Sequence, residues 1–255
     1  GNAAKATSAA GGFLVGSGLV AEPDLKAGLA LGFLSTEVKA GNGLGRGTLE
    51  SYQALAYGSW TPGAAFVEGA LGYGFSRYET TRTPAFGTAA GTAEGRARGH
   101  DVSAEIAAGY RVAGERGWVE PRAGLRWDRV QRGGFKEGGT AALGLEEKGV
   151  AENAVRSSLG LRFGTAFALG ALKVEPSAIA AWERDWRDAA SAAAGSLNGS
   201  AFTARASDPG RDAAVLGVGL SVRMDERLSV QAGYLGEFRR RETTHGVTAG
   251  LKWSW

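Results

Sequence analysis

The sequence has no cysteine, two histidines, one methionine and six prolines in 255 residues. The absence of cysteine excludes disulfide bonds and thiolate–metal sites, and it suits a chain that crosses an oxidising compartment. No stretch contains the roughly 18 consecutive apolar residues of a membrane-spanning helix. A strand can cross a bilayer with ~9–11 residues that are apolar only at alternate positions, so a membrane-spanning sheet is still allowed.

Charge and motifs exclude several function classes. The 29 basic and 26 acidic residues leave a net charge of +3, and no basic cluster with interleaved aromatics predicts a nucleic-acid partner. No nucleophile motif, metal-ligand pair or phosphate-binding loop stands out. We therefore expect no catalytic residues, no metal and no cofactor, and we expect that the chain is not an enzyme. No secretory signal begins at Gly1, so we expect a mature or excised segment.

Glycine is abundant, with 42 residues, and apolar residues alternate with small or polar ones. The clearest example is the last segment, 246–255, in which Val247, Leu251, Trp253 and Trp255 share one side. A period of two is the strand period. Tryptophans at the end of such a strand are typical of a barrel strand whose aromatic residues lie at the membrane interface.

The same period recurs in about eleven segments, for example in Val102–Val112 and Val119–Trp127. Short turns are predicted near residues 21–24, 61–63, 113–117, 168–171 and 225–227. Long loops are predicted near residues 39–47, 81–99, 133–153 and 187–211, with 239–245 intermediate. Short turns that alternate with long loops are typical of outer-membrane barrels, which place the short turns in the periplasm.

The fold class that follows is all-β: a transmembrane, antiparallel, up-and-down β-barrel that forms one domain. Residues 1–10 are predicted to be a loop and residues 11–255 to be barrel strands. Because bacterial barrels usually have an even strand number, we expect about twelve strands in the full domain, with the first strand before Gly1.

One face of the predicted strands is nearly free of charge and carries the aromatics, whereas the other face is charged and rich in glycine. A charge on the lipid face costs ~2–4 kcal/mol at mid-membrane, so the charged face is predicted to line a wet lumen. The predicted lumen-lining charges are Glu68, Asp101, Glu105, Glu120, Arg122, Arg126, Asp128, Arg156, Arg162, Lys173, Glu175, Arg223, Glu237 and Lys252.

Several segments, in their order and spacing, resemble the translocator domains of autotransporters. They are Phe66–Gly74, Arg77–Arg82, Trp118–Pro121, Gly134–Glu137, Val174–Pro176, Ala181–Glu183, Val218–Leu220, Tyr234–Glu237 and the terminal aromatic residue. The resemblance covers essentially the whole chain. It departs from the family in two ways: the first strand and the helix that threads the pore are absent, and Trp255 replaces the usual terminal phenylalanine.

The resemblance implies a type V secretion translocator, which helps to carry its own N-terminal passenger across the outer membrane of a Gram-negative bacterium. It implies three partners: outer-membrane lipids, the barrel-assembly machinery and the passenger in cis. In this family the assembly machinery recognises the last strand, and Leu251, Trp253 and Trp255 match that signal. Some members cut the passenger inside the barrel with lumen carboxylates; Glu120 and Asp128 are candidates only if the missing helix carries an asparagine.

Two other functions remain open. The first is a passive outer-membrane pore or adhesion barrel without a passenger. The second is an outer-loop hydrolase that uses His100 with Asp101. Carboxylates such as Asp101 and Glu105 share a strand face, but four residues on a strand span ~13 Å, so no acid–base pair follows. We expect Arg122, Arg126, Arg156 and Arg162 to neutralise the lumen carboxylates.

Overall fold

The computed structural model describes residues 6–41, 45–83, 91–139, 144–186, 192–197, 199–205 and 208–254. Within these ranges every regular element is a β-strand. Over the same ranges, no helix has the length and apolar character that crossing a membrane requires.

Eleven long strands form one antiparallel sheet. They are β1 (Ala6–Ala21), β2 (Leu25–Ala40), β3 (Gly45–Trp60), β4 (Ala65–Arg82), β5 (Ala93–Tyr110), β7 (Gly117–Arg132), β11 (Val150–Gly164), β13 (Leu172–Asp185), β16 (Asp212–Arg223), β17 (Leu228–Arg239) and β18 (Thr243–Trp253). Each long strand pairs with the next long strand along the chain, so the sheet is an up-and-down meander.

Seven short strands extend this sheet or lie in its connections. They are β6 (Val112–Gly114), β8 (Phe135–Lys136), β9 (Gly138–Gly139), β10 (Leu145–Glu147), β12 (Phe167–Leu169), β14 (Ala192–Leu197) and β15 (Ser200–Arg205). Strands β6, β9 and β12 pair with β7, β5 and β13, respectively. The other four form a small separate sheet in the order β15-β14-β10-β8.

The connections are short at one end of the sheet and long at the other, as predicted. At the short end, β1 and β2 are joined by residues 22–24, and β3 and β4 by residues 61–64. Gly63 and Gly170 lie in short-end turns with φ of 64° and 62°, a backbone conformation that residues with a Cβ rarely adopt. At the long end, the connections between β7 and β11 and between β13 and β16 contain the small sheet.

The registers are continuous, with one irregularity, between Gly18 and Val20 in β1. Among the described residues, β1 pairs only with β2, and β18 only with β17. Eleven long strands and two terminal strands with one neighbour each agree with the predicted meander. The twelfth strand remains a prediction.

The uncharged face of the sheet is the exposed one. Leu31, Leu71, Ile106 and Val218 are 68%, 64%, 55% and 60% exposed. Side chains on the opposite face are buried in several places: Ser76 is 3% exposed and bonds Ser51 with 2.7 Å between the hydroxyl oxygens. An apolar outer face is the reverse of a water-soluble barrel, whose large aliphatic side chains fill the interior.

The prediction that residues 1–10 form a loop is wrong for residues 6–10, which belong to β1 and pair with residues 36–40 of β2. The predicted loops at 81–99 and 39–47 are also too long, because β4 extends to Arg82, β5 begins at Ala93 and β3 begins at Gly45. These extensions carry polar side chains on both faces. Backbone pairing continues there without the apolar alternation that a hydrocarbon environment imposes on one face.

A charged inner face and an apolar last strand

The strand registers bring all fourteen predicted lumen charges to the same face of the sheet. Glu105 lies opposite Arg126, and Arg126 lies opposite Arg156 on the next strand. Lys173 lies opposite Arg223, which is followed across the sheet by Ser229 and Lys252. Because residues directly opposite each other in an antiparallel pair share a face, one continuous charged face runs from β4 to β18.

This charged face is concave. Arg156 on β11 has its Nη1 atom 3.9 Å from Glu237 Oε2 on β17, although β13 and β16 lie between these strands. Arg122 on β7 likewise contacts Glu68 on β4, across β5. Three strand spacings amount to ~14 Å on a flat sheet, so the contact of Arg156 with Glu237 over two intervening strands indicates the inside of a curled sheet. We therefore call this the inner face, and the apolar one the outer face.

The first inner-face cluster surrounds Glu120, which is 4% exposed. Its Oε2 atom accepts hydrogen bonds from Arg111 Nη2 at 2.7 Å and from Arg111 Nε at 3.0 Å. Its Oε1 atom lies 3.8 Å from Arg122 Nη1, and Arg122 also binds Glu68. Both carboxylate oxygens of Glu120 therefore contact an arginine.

The second cluster joins β5 and β7. Arg126 donates to Asp128 through Nη2 and Nε, with the closest contact to each nitrogen at 2.8 Å. Arg126 Nη1 also lies 3.7 Å from Glu105 Oε2. This forked contact is the strong geometry for an arginine–carboxylate pair.

The third cluster contains two residues that the sequence prediction omitted, Glu183 and Arg239. Arg156 Nη1 lies 3.3 Å from Glu183 Oε2, and Arg239 Nε donates to Glu237 Oε1 at 2.6 Å. Arg239 has a side chain only 5% exposed. The alternation of the strands could have identified both omitted residues. Glu183 is an even number of residues from Glu175 on the same strand, and Arg239 is two residues from Glu237, so each shares a face with a predicted lumen charge.

Of the remaining predicted charges, Asp101 lies in the middle of β5, opposite Gly74, and the others lie toward the ends of their strands. Lys173 Nζ lies 2.6 Å from Glu175 Oε1. Arg162 differs from the other three arginines expected to neutralise carboxylates, because its contact is with an aromatic ring: its Cζ lies 5.6 Å from the centroid of Trp118. Arg111 Cζ lies 4.3 Å from the same ring.

The inner face of β1 to β3 differs from the rest. Its side chains, for example Leu14, Gly32 and Gln53, are small, apolar or uncharged. Within the described part of these three strands, Lys26 at the short-turn end is the only charged side chain on this face. The inner face thus has a charged part and a neutral part.

The last strand places Leu251 and Trp253 on the outer face, 78% and 57% exposed. Trp255, the third residue of the predicted assembly signal, lies outside the described residues.

The candidate hydrolase residues do not meet. His100 is on the outer face, where its Nδ1 atom lies 2.7 Å from the Tyr73 hydroxyl, whereas Asp101 is on the inner face opposite Gly74. Successive residues of a strand point to opposite faces, so the two cannot form an acid–base pair. Among the described residues, no group of three or more His, Cys, Asp or Glu could hold a metal ion.

A family model described as the autotransporter beta-domain matches residues 1–235. Two curated relatives from Serratia marcescens are both named extracellular serine protease. One is 25% identical over 200 residues, 77% of this chain and 19% of the relative; the other is 23% identical over 207 residues, 80% of this chain and 20% of the relative. The chain thus spans about a fifth of the length of these relatives.

Solved structures with the same fold include three autotransporter domains. The translocator domain of NalP from Neisseria meningitidis has a TM-score of 0.82 at 18% identity, covering 100% of this chain and 83% of that one. The Bordetella BrkA β-domain has 0.70 at 21%, covering 98% and 92%. The transport unit of AIDA-I from Escherichia coli has 0.63 at 15%, covering 99% and 86%.

Proposed function

The chain belongs to the autotransporter β-domain family, and on that premise we propose that it is the outer-membrane translocator that helps to carry an N-terminal passenger to the cell surface. The match of the family model to residues 1–235 is the observation that carries this proposal. The antiparallel meander and its likeness to autotransporter domains supply the fold.

The inner-face charges are the proposed lining of a water-filled lumen. Ion pairs across the lumen, such as Arg156 with Glu237 and Arg122 with Glu68, support this proposal. Charges in hydrocarbon are costly, and a one-sided distribution avoids that cost. In this role the ion pairs stiffen the wall and leave few unpaired charges for a passing polypeptide to bind.

The outer face is the proposed contact with outer-membrane lipids in a Gram-negative bacterium, with the long connections at the cell surface. Leu251, Trp253 and Trp255 are proposed to form the signal that the barrel-assembly machinery recognises. The described part of this signal supports the proposal, because Leu251 and Trp253 are exposed at alternate positions of a strand with one neighbour.

We assign no protease activity to this chain. The name extracellular serine protease applies to relatives of which this chain matches about a fifth. The inner-face carboxylates Glu120 and Asp128 are both held by arginines, which does not favour proton transfer.

A surface-display experiment tests the translocator function. The full precursor is expressed in a Gram-negative host with an epitope tag in the region before Gly1. The tag is expected to be accessible to antibody and protease on intact cells, and the β-domain to run as a heat-modifiable band in outer-membrane fractions.

A β-domain that assembles in the outer membrane while the tag stays in the periplasm would contradict the translocator function. That result, together with ion conductance in planar bilayers, would favour the alternative of a passive pore. The alternative of an outer-loop hydrolase is not carried forward, because His100 and Asp101 lie on opposite faces.

A further inference from the structure

Two arginines lie directly opposite each other on the outer face near the long-connection end. Arg77 of β4 pairs in register with Arg98 of β5, and both residues are exposed. Like charges directly opposite across two strands destabilise a sheet unless an anion lies between or above them. The Arg77–Arg98 pair is therefore a position at which a bound anion would relieve repulsion.

Arg77 and Arg98 lie at one level of the sheet, just beyond the apolar band. Along β4 the outer face reads Leu71, Tyr73 and Phe75 before Arg77. Along β7 it reads Leu125 and Trp127 before a third arginine, Arg129, which is opposite Val102 and so lies four residues, ~13 Å along the strands, closer to the apolar band than Arg98. A two-residue step along a strand is ~6–7 Å, which places the guanidinium groups where hydrocarbon gives way to lipid headgroups.

Uncharged neighbours hold Arg77 and Arg129 in place. Arg77 Cζ lies 5.8 Å from the ring centroids of both Tyr52 and Phe75. Arg129 Nη1 donates to Asn153 Oδ1 at 3.4 Å. With the Gln131 amide turned to satisfy its partners, Arg129 Nη2 also donates to its oxygen at 2.8 Å. Aromatic rings and amides fix the arginine side chains while leaving their charge available.

The carboxylates near Arg77, Arg98 and Arg129 on the surrounding strands form no direct ion pair with these arginines among the described residues. Glu79 of β4 lies 3.2 Å from Arg96 and is thereby engaged. Glu50 of β3 is opposite Arg77 in register. Among the described residues, no ion pair within 4.0 Å joins a carboxylate to Arg77, Arg98 or Arg129.

Other outer-face arginines at the same end do have acidic partners. Arg46 lies 4.0 Å from Glu37, Arg96 lies 3.2 Å from Glu79, and Arg184 lies 3.2 Å from Asp212. Arg77 and Arg98, together with Arg129 on the neighbouring strand, form what we call the arginine patch, and they differ from the other outer-face arginines in having no acidic partner within 4.0 Å among the described residues.

We infer that the arginine patch binds the phosphate groups of a phosphorylated glycolipid in the outer leaflet of the outer membrane. The inference rests on the proposed function, because it takes the long-connection end to be the cell-surface side. A guanidinium fork matches two phosphate oxygens, and basic pockets at a membrane interface are typical headgroup sites. A phosphate above Arg77 and Arg98 converts their mutual repulsion into shared attraction.

Binding of purified lipid A to the refolded β-domain in neutral detergent tests this inference. The Arg77→Gln/Arg98→Gln/Arg129→Gln variant is expected to bind lipid A at least about tenfold more weakly than the parent protein. The matched control is Arg46→Gln/Arg96→Gln/Arg184→Gln, which removes the same number of outer-face charges from acid-paired positions. We expect less than about a twofold change for the control.

Three further measurements identify the ligand. Lipid A treated with phosphatase is expected to bind the parent protein as weakly as intact lipid A binds the patch variant. Inorganic phosphate at millimolar concentration is expected not to displace lipid A, since the acyl chains supply the rest of the affinity by contact with the apolar band. Phosphatidylglycerol is expected to compete only weakly, because it offers one phosphate.

Equal losses in the two triple variants, or equal binding of intact and phosphatase-treated lipid A, would overturn the inference. Displacement by inorganic phosphate alone would assign the patch to a free anion and overturn the lipid source. The assay contains no passenger. Failure of surface display with intact lipid A binding would therefore count against the translocator function and not against the arginine patch.

Discussion

Arg156 of β11 and Glu237 of β17 meet at 3.9 Å over two intervening strands. The contact directly links two strands, β11 and β17, that are not neighbours in the meander. Arg156 also reaches Glu183 at 3.3 Å, and Glu237 is held by Arg239 at 2.6 Å. The four residues form one ion-pair network that connects strands across the curled sheet.

Removing this contact is expected to weaken the barrel. Arg156→Gln leaves Glu183 and Glu237 with less positive charge nearby, and we expect a loss of about 1–2 kcal/mol in the free energy of unfolding. The value is below that of a buried pair, because the side chains of Arg156 and Glu237 are 34% and 26% exposed. Urea unfolding in lipid vesicles measures it.

A double-mutant cycle with Glu237→Gln tests whether the two side chains act together. We expect a coupling energy of at least about 0.5 kcal/mol. Lys39→Gln is the control, because Lys39 pairs with Glu37 where both side chains are well exposed, at 61% and 40%. A coupling energy near zero would mean that the network does not stabilise the curled sheet.

The assignment of outer and inner faces predicts opposite tolerance for introduced charge. Ile106→Arg points a cation into hydrocarbon and is expected to cost ~2–4 kcal/mol near the membrane midplane. Gln53→Arg places the same charge on the inner face, where Gln53 is exposed. Gln53 lies opposite Gly74 of β4, and Gly74 in turn lies opposite Asp101 of β5. The folded fraction in lipid vesicles, read from heat modifiability, should be lower for Ile106→Arg; the reverse order would show that the faces are inverted.

The proposed assembly signal predicts a strong effect at the last residue. Trp255→Asp is expected to reduce outer-membrane assembly severalfold in cells, because it replaces an aromatic end with a charge. Lys252→Gln, which changes an inner-face position of the same strand, is the control and should assemble normally. Normal assembly of the Trp255→Asp protein, measured as the heat-modifiable fraction of the outer membrane, would remove the signal.

The turn between β16 and β17 predicts a pH effect. Asp225 accepts hydrogen bonds through Oδ1 from the backbone N–H groups of Arg227 at 2.7 Å and Leu228 at 2.8 Å, which lowers the pKa of Asp225 below its usual value. A lowered pKa in the folded state means that the carboxylate stabilises the turn above pH ~3.9 and that this contribution disappears as pH falls through the folded-state value.

Asp225→Ala is therefore expected to destabilise the barrel at neutral pH and to have no effect at pH values below the folded-state pKa. Asp225→Asn keeps an oxygen acceptor, so at neutral pH its unfolding midpoint should lie between those of the parent protein and of Asp225→Ala. Unfolding midpoints measured from pH 7 downward check this. An Asp225→Ala penalty that does not depend on pH would assign the effect to the backbone and not to the carboxylate.

The faces of this barrel could be predicted from the sequence because alternation maps directly onto sides of a strand. Lys173, Glu175 and Ser177 are alternate residues of one strand, so their side chains share a face. An error of one residue in the alternation would have assigned every side chain of that strand to the wrong face. The strand ends were less predictable. At residues 6–10 and 45–51, strands continue into water with polar side chains on both faces, so the pairing leaves no period to detect.

The inner-face partners could be predicted by residue type but not by identity. Arg122 was expected to neutralise a carboxylate, yet its partner Glu68 lies two strands away. Such a partner depends on how tightly the sheet curls, which no local pattern encodes. The position of Arg162 over Trp118 was missed for the same reason, since the ring reaches it from a neighbouring strand.

The inner face of β1 to β3 carries small, apolar or uncharged side chains, whereas the later strands carry arginines paired with carboxylates. A passenger segment inside the proposed translocator would therefore meet two kinds of wall. One wall carries no charge beyond Lys26 at its short-turn end, and the other carries charges that are already paired. We expect such a segment to make only brief contacts with either wall, whatever the sign of its own charge.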